Sequence, residues 1–261
     1  MYTMPHSRTH AQRACPSPLA QLLDLFLIEL TNWRWSWRPM IILGAATPLL
    51  SILALSVFAR DSGREALVYI LTGNVVISLM LGNMRAVENH FSFMRFRGTL
   101  DYFAMLPIRR SIVILAVMLA FLLLHLPSVV VTILFGSLLL KIPVKPHPIV
   151  LLLVPMCAIP LSGIGALIGT RARTPQESGT LSLLVTMAMA ALGPVAVPPD
   201  RLPEISVALG RFSPATYAAS ALRQALIGPL SSQIVVDLAV LAGTSAAVLW
   251  LVGRKIDWRQ S

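Results

Sequence analysis

Two ionisable side chains, His125 and Asp237, fall inside the long apolar runs of this sequence. Catalysis would need more: a nucleophile beside a base and an orienting group, or a set of metal ligands. The chain contains no G-x-x-x-x-G-K-S/T phosphate loop, no H-E-x-x-H and no G-x-S-x-G. Its two cysteines are Cys15, in a polar N-terminal stretch, and Cys157, in an apolar run. Neither has a His or Cys at metal-ligand spacing, and no disulfide is expected between them. Pro127 follows His125 by two positions, which suits an imidazole bonded to a backbone carbonyl at a helix kink. Asp237 sits in the first turn of its run, where a carboxylate favours the helix dipole. Proton- or ion-driven carriers place carboxylates or basic groups at membrane depth, and here such groups are scarce. The sequence therefore predicts a protein that is not an enzyme, needs no cofactor of its own and draws energy from elsewhere.

The elements around these residues are membrane spans. Of 261 residues, 56% are hydrophobic and 12% charged, about half the charge of a soluble domain. Six segments approach the roughly 20 apolar residues that cross a bilayer: Pro39–Phe58, Ala66–Met84, Ile112–Leu140, Pro148–Thr170, Ser178–Val197 and Ile234–Gly253. The fold class expected is an all-α integral membrane protein with six transmembrane helices, an N-terminal amphipathic helix and short re-entrant helices before the last span. Residues 1–18 read as a disordered cytoplasmic tail without a cleaved signal peptide. Residues 19–38 read as a helix in the headgroup plane, with Leu19, Leu22, Leu23, Phe26, Leu30, Trp33 and Trp37 on one stripe. Trp33, Trp35 and Trp37 interleave with Arg34 and Arg38, an interfacial composition. Residues 39–253 form the transmembrane domain and 254–261 a cytoplasmic C-terminus. With both termini in the cytoplasm of a cell membrane, fourteen Lys and Arg lie inside and seven outside, as the positive-inside rule asks. The net charge of +10 is thereby assigned to lipid headgroups rather than nucleic acid.

Two connections are too rich to be plain loops. Residues 85–111 carry Phe91, Phe93, Phe96, Tyr102 and Phe103 with Arg95, Arg97, Arg109 and Arg110, a docking or interfacial composition. Gly98 interrupts a helix there and Pro107 ends the next. Residues 198–233 contain Ser213-Pro214, an N-cap followed by a proline at the first helical position, and Gly228-Pro229, a stop. The helix between them, Ala215–Ile227, is too short to span and reads as a half-helix entering the outer leaflet. Gly165 and Gly169 form a small-xxx-small pair for helix packing. Asn74, Ser78, Asn83, Thr186 and Met187 are polar or soft residues of the second and fifth spans, candidates for a pathway lining or for helix-to-helix bonding.

The stretch Met94-Arg95-Phe96-Arg97-Gly98-Thr99-Leu100-Asp101, followed by Pro107-Ile108-Arg109-Arg110, resembles the R-x-R-G-T-L-(E/D)…L-P-(L/I)-x-R signature of type-2 ABC exporter permeases. Phe212-Ser213-Pro214-Ala215-Thr216-Tyr217, continuing to Ala221-Leu222-Arg223 and Gly228, is similar to that family's S-P-x-T-Y…x-L-R…G segment before the last span. The likeness covers nearly the whole chain. It departs at Phe96, where many members carry Glu, and so removes a salt bridge from that position. The resemblance implies a half-transporter: two copies forming the pathway, and two separately encoded ATPase subunits that carry the ATP and Mg. It assigns ATPase coupling to Glu88, Phe91, Phe93, Arg95, Phe96, Arg97, Gly98 and Thr99. It assigns an outer re-entrant gate to Pro199, Leu202, Pro203, Ser213, Pro214, Tyr217 and Arg223. Lipids, glycoconjugates or hydrophobic drugs are the cargo it implies. A membrane scaffold or assembly protein without transport activity is the alternative class.

Overall fold

A computed structural model describes residues 17–33, 37–58, 63–100, 105 and 109–255. The predicted N-terminal tail up to Pro16, Arg34, Trp35, the segments 101–104 and 106–108, and the C-terminus from Ile256 lie outside the described residues. Every regular element among those described is helical. Five helical runs are long and apolar enough to cross a membrane: Met40–Val57, Gly63–Phe96, Arg110–Leu140, Val150–Arg171 and Gln233–Arg254.

Helix α1 (Pro18–Trp33) and α2 (Trp37–Phe58) divide the predicted 19–38 helix differently from the reading above, since Trp37 and Arg38 open the first span. The apolar positions of α1 serve two sides. Leu25 and Trp33 pack toward Phe91, Val113 and Phe121 of the bundle, whereas Leu19, Leu23, Leu27 and Ile28 remain exposed. That second side suits a lipid surface.

The second span runs well past its expected end. Helix α3 (Gly63–Leu79) passes through a π-helical turn (Met80–Met84) into α4 (Arg85–Phe96). The result is one 34-residue rod, the most deeply enclosed of the five long helices. The region expected to begin a docking loop at Arg85 is thus the buried continuation of a span. The reason is packing: Val87, Phe91 and Met94 supply an apolar face to a cluster with Ile114, Val117 and Phe121. The rod ends at Gly98, whose φ of 70° is a left-handed cap conformation.

Helix α5 (Arg110–Leu140) is continuous through Pro127. Helix α6 (Val150–Arg171) lies along the rod, and the glycines of its small-xxx-small pair meet it directly. A Cβ at Gly165 would strike the Met84 carbonyl, and one at Gly169 the Glu88 carbonyl. Helix α7 (Pro175–Ala191), capped by the Thr174 hydroxyl on the Glu177 amide, has 17 residues and ends six short of the expected Val197. Its length of about 25 Å stops where Gly193 takes a φ of 123° and Pro194 lacks an amide donor. The chain then folds across α3, where a Cβ on Gly73 would lie 2.6 Å from the Val195 oxygen.

A 3-10 turn (Pro199–Arg201) and a short helix α8 (Glu204–Gly210) lead to α9 (Pro214–Leu226), and the last long helix is α10 (Gln233–Lys255). Ser213 occupies the predicted N-cap position, but its hydroxyl caps nothing and has no partner among the described residues. A face of Ala218, Ala221, Leu222 and Ala225 buries α9 against α3, α6 and α10.

Candidate functional site

The bundle has two polar ends joined by the α3–π–α4 rod. At the end away from α1, the Arg223 guanidinium lies 3.4 Å from the centroid of the Tyr69 ring on α3 and donates to the Pro194 oxygen at 3.4 Å. Beside it, Asp237 is fully buried and accepts from Gln224 Nε2 at 3.1 Å and Gln233 Nε2 at 3.2 Å. Gln224 Oε1 in turn accepts from the Ser231 amide and hydroxyl. Asp237 is therefore a satisfied buried acceptor tying α9 to α10; it lies past the first turn of α10, where a carboxylate would answer the helix dipole. Tyr217 donates to the Arg211 oxygen at 2.9 Å and straps the turn before α9. Pro199 opens the 3-10 turn, Leu202 closes it and Pro203 leads into α8.

At the α1 end the predicted coupling residues separate into two groups. Glu88 and Phe91 are enclosed within the chain. Arg95 donates through Nη1 to the Thr170 oxygen and so joins α4 to the end of α6. Phe93 is 40% and Phe96 67% exposed, and the Arg97 guanidinium lies 5.7 Å from the centre of the Phe93 ring. Arg97 and Gly98 form the turn that follows, and half-buried Thr99 opens the next helical stretch. Behind this tip, His90 Nε2 is 3.5 Å from the Glu29 carboxylate of α1, and the Trp33 ring packs on both His90 and Phe121.

Between the two ends a cavity of about 750 Å³ opens between α2, the π-turn, α4, α5 and the start of α7. Its polar lining includes Thr47, Arg85, Glu88, Asn89, His125, Gln176 and Thr180, and its apolar lining includes Met40, Leu81 and Leu183. The expected pathway residues lie elsewhere. Asn74, Ser78, Asn83 and Thr186 are buried inside the chain, and Met187 is exposed on α7. Ser78 bonds the Gly44 oxygen at 3.3 Å and Ser128 at 3.4 Å, a helix-to-helix contact. Asn74 donates to the Ile70 oxygen at 2.8 Å within its own helix.

A family model described as ABC-2 type transporter matches residues 25–227. The chain belongs to the ABC-2 type transporter family. It is the membrane-embedded permease component of such a transporter, and it crosses the membrane more than once. Among curated proteins, none matches the chain. In this permease the matched span begins within α1 and closes just after α9. It thus takes in the rod, its exposed tip and the buried helix α9. Sequence reasoning missed the π-turn, although Gly82-Asn83 inside an apolar run was its visible trace. It also missed the Arg223–Tyr69 stack and the Glu29–His90 pair, which join residues remote along the chain.

Proposed function

We propose that this permease is the transport subunit of an ATP-driven exporter of hydrophobic or amphipathic molecules. Two copies form the pathway and a separate ATPase, also in two copies, supplies the energy from the cytoplasmic side of the cell membrane. The chain passes six times, with α7 and the extended residues after it as the fifth passage, and both termini are cytoplasmic. The observation that carries this reading is the rod from Gly63 to Phe96. A single stiff element joins an exposed aromatic tip to the buried network at the other end. Force applied to the tip therefore displaces α6 and the outer helix α9 rather than dissipating in a loop.

On this reading the eight coupling residues divide the work. Phe93, Phe96 and Arg97 dock the ATPase. Phe91, Glu88 and Arg95 fix the rod to its neighbours so that the push is passed on. Gly98 ends the rod in a turn and Thr99 opens the helical stretch after it, so the two fix where the docking tip stops. The outer gate is α9 with its preceding turn, held by Arg223 and Tyr217.

The test is reconstitution. The chain alone in liposomes should give no nucleotide-dependent export, and addition of its ATPase should restore it. Phe93→Ala with Phe96→Ala should release the ATPase while the permease stays folded and dimeric. An aromatic hot spot contributes about 2 kcal/mol or more, roughly thirtyfold in Kd. Export by the chain alone would overturn the partner assignment. A complex that survives the double change with coupled transport would make the two phenylalanines lipid anchors. A stable complex that moves nothing would favour the scaffold class.

A further inference from the structure

The cavity contains one residue that is built in with unusual care. His125 is only 4% exposed, yet it lies on the cavity wall. Two glycines from different elements make room for its ring. A Cβ on Gly82 of the π-turn would come within 2.5 Å of Cδ2 and 3.3 Å of Nε2, and one on Gly44 of α2 within 3.5 Å of Cδ2. Gly44 and Gly82 line the same cavity. The other side of the ring is fixed, because Nδ1 lies 2.9 Å from the Phe121 oxygen one turn back. A carbonyl oxygen only accepts, so Nδ1 carries the proton. In the neutral imidazole Nε2 is then a lone-pair acceptor. Nε2 has no partner among the described residues.

The π-turn and both glycines thus hold an acceptor at the inner wall of a cavity that is otherwise part polar and part apolar. Arg85 and Glu88, side chains of opposite charge type, lie three residues apart on α4 and both line this cavity. A head of large net charge gains little there. The complement of this wall is a headgroup that donates a hydrogen bond.

We propose that the cavity is a headgroup site for amphipathic molecules, and that Nε2 of His125 is its specificity-determining acceptor. It selects heads carrying an O–H or N–H donor over heads without one. This rests on the export reading, whose pathway would include the cavity, but its test needs no ATPase, so either can fail alone.

The experiment measures equilibrium binding of radiolabelled dodecyl glucoside and its tetra-O-methyl ether to the full chain in nanodiscs, with empty nanodiscs subtracted. A second arm compares dodecylammonium with dodecyltrimethylammonium, which separates hydroxyl from ammonium donors. The donor member of at least one pair should bind about tenfold more tightly, the size expected when a buried acceptor gains or loses its only partner. His125→Leu should abolish that ratio and His125→Gln, which keeps an acceptor, should preserve most of it. Gly82→Ala, which pushes the ring without replacing it, should lower the ratio. Should the leucine variant fold poorly, the resonance of Nε2 in histidine-labelled wild type still decides. It should move on adding the donor probe and stay still with the methylated one. Equal binding of both members in both arms, or a ratio unchanged in His125→Leu and Gly82→Ala, would overturn the proposal.

Discussion

Replacing Gly165 and Gly169 together by alanine tests the contact that holds α6 to the rod. Each new methyl meets a peptide group rather than a movable side chain: Met84 for the first, Glu88 for the second. The peptide carbons alone would stand 3.2 Å and 3.1 Å from the added Cβ atoms, against the roughly 3.5–4.0 Å that carbon pairs prefer. The carbonyl oxygens are nearer still. Neither oxygen can swing away without breaking its own helix, so α6 and the rod must part by several tenths of an ångström or more. A gap of that order forfeits a quarter to a half of each contact's dispersion energy along the seam. Overpacking of this kind costs about 1–3 kcal/mol per methyl. The two sites lie one turn apart and share a single displacement, so their costs add incompletely. Taken near the upper end of that range, because the obstacle is rigid backbone, and less the helical cost of glycine of about 1 kcal/mol that each alanine removes, about 2–4 kcal/mol for the pair is expected, or a fall of roughly 5–15 °C in Tm for a chain of this size. Thermal unfolding in detergent, followed by size-exclusion chromatography, reads this directly. Gly179 and Gly243 provide the matched control, since a Cβ at either meets nothing within 4 Å. Alanine there removes the helical cost of glycine, about 1 kcal/mol, and should raise Tm slightly. A double variant as stable as wild type would refute the seam. A fall at Gly243 would show that another helix, such as one of a second copy, covers that face.

Two further outcomes follow from the same contacts. With six passages and cytoplasmic termini, a cysteine at exposed Lys145 should react with an impermeant maleimide from outside, and one at exposed Arg173 should not; the reverse pattern would invert the topology. Asp237→Leu removes the acceptor shared by Gln224 and Gln233, at about 1–3 kcal/mol. A cysteine at Ser231 should then label faster, because the Gln224 amide that holds this turn loses its own anchor; unchanged labelling would separate the turn from the network.

Helix identity was legible in the sequence because it depends on local apolar runs, and the boundaries that failed did so for non-local reasons. Arg85 looked like the end of a span because charge and aromatics begin there. Partners far along the chain, Ile114 and Phe121 on α5 and Gly169 on α6, provide the groove that keeps α4 helical and enclosed. Ser178–Val197 looked like one passage by hydropathy, yet Gly193 and Pro194 end the helix early. The polar residues Asn74, Ser78 and Asn83 were visible, but hydropathy cannot tell a pathway wall from a seam between helices. All three are buried within this chain, and the cavity lies toward α2 and α7.

The division within the aromatic cluster has a mechanical consequence. Phe91 is fully enclosed while Phe96, five residues on, is 67% exposed. A docking segment with all its aromatics outside could rock on the bundle without moving it. Here Phe91 and Arg95 grip α5 and α6 from within the same helix that presents Phe93 and Phe96 outward. Any displacement of the exposed rings must carry the seam at Gly165 and Gly169 along. It must also carry the π-turn that holds Gly82 against His125. Single π-turns inside α-helices are rare and frequent at functional sites, and this one forms part of the cavity wall between the exposed Phe96 tip and the Tyr69 end of the rod. Buried contacts on both sides of that turn make the rod one stiff element, and the turn itself sets the place of Gly82 on the cavity wall.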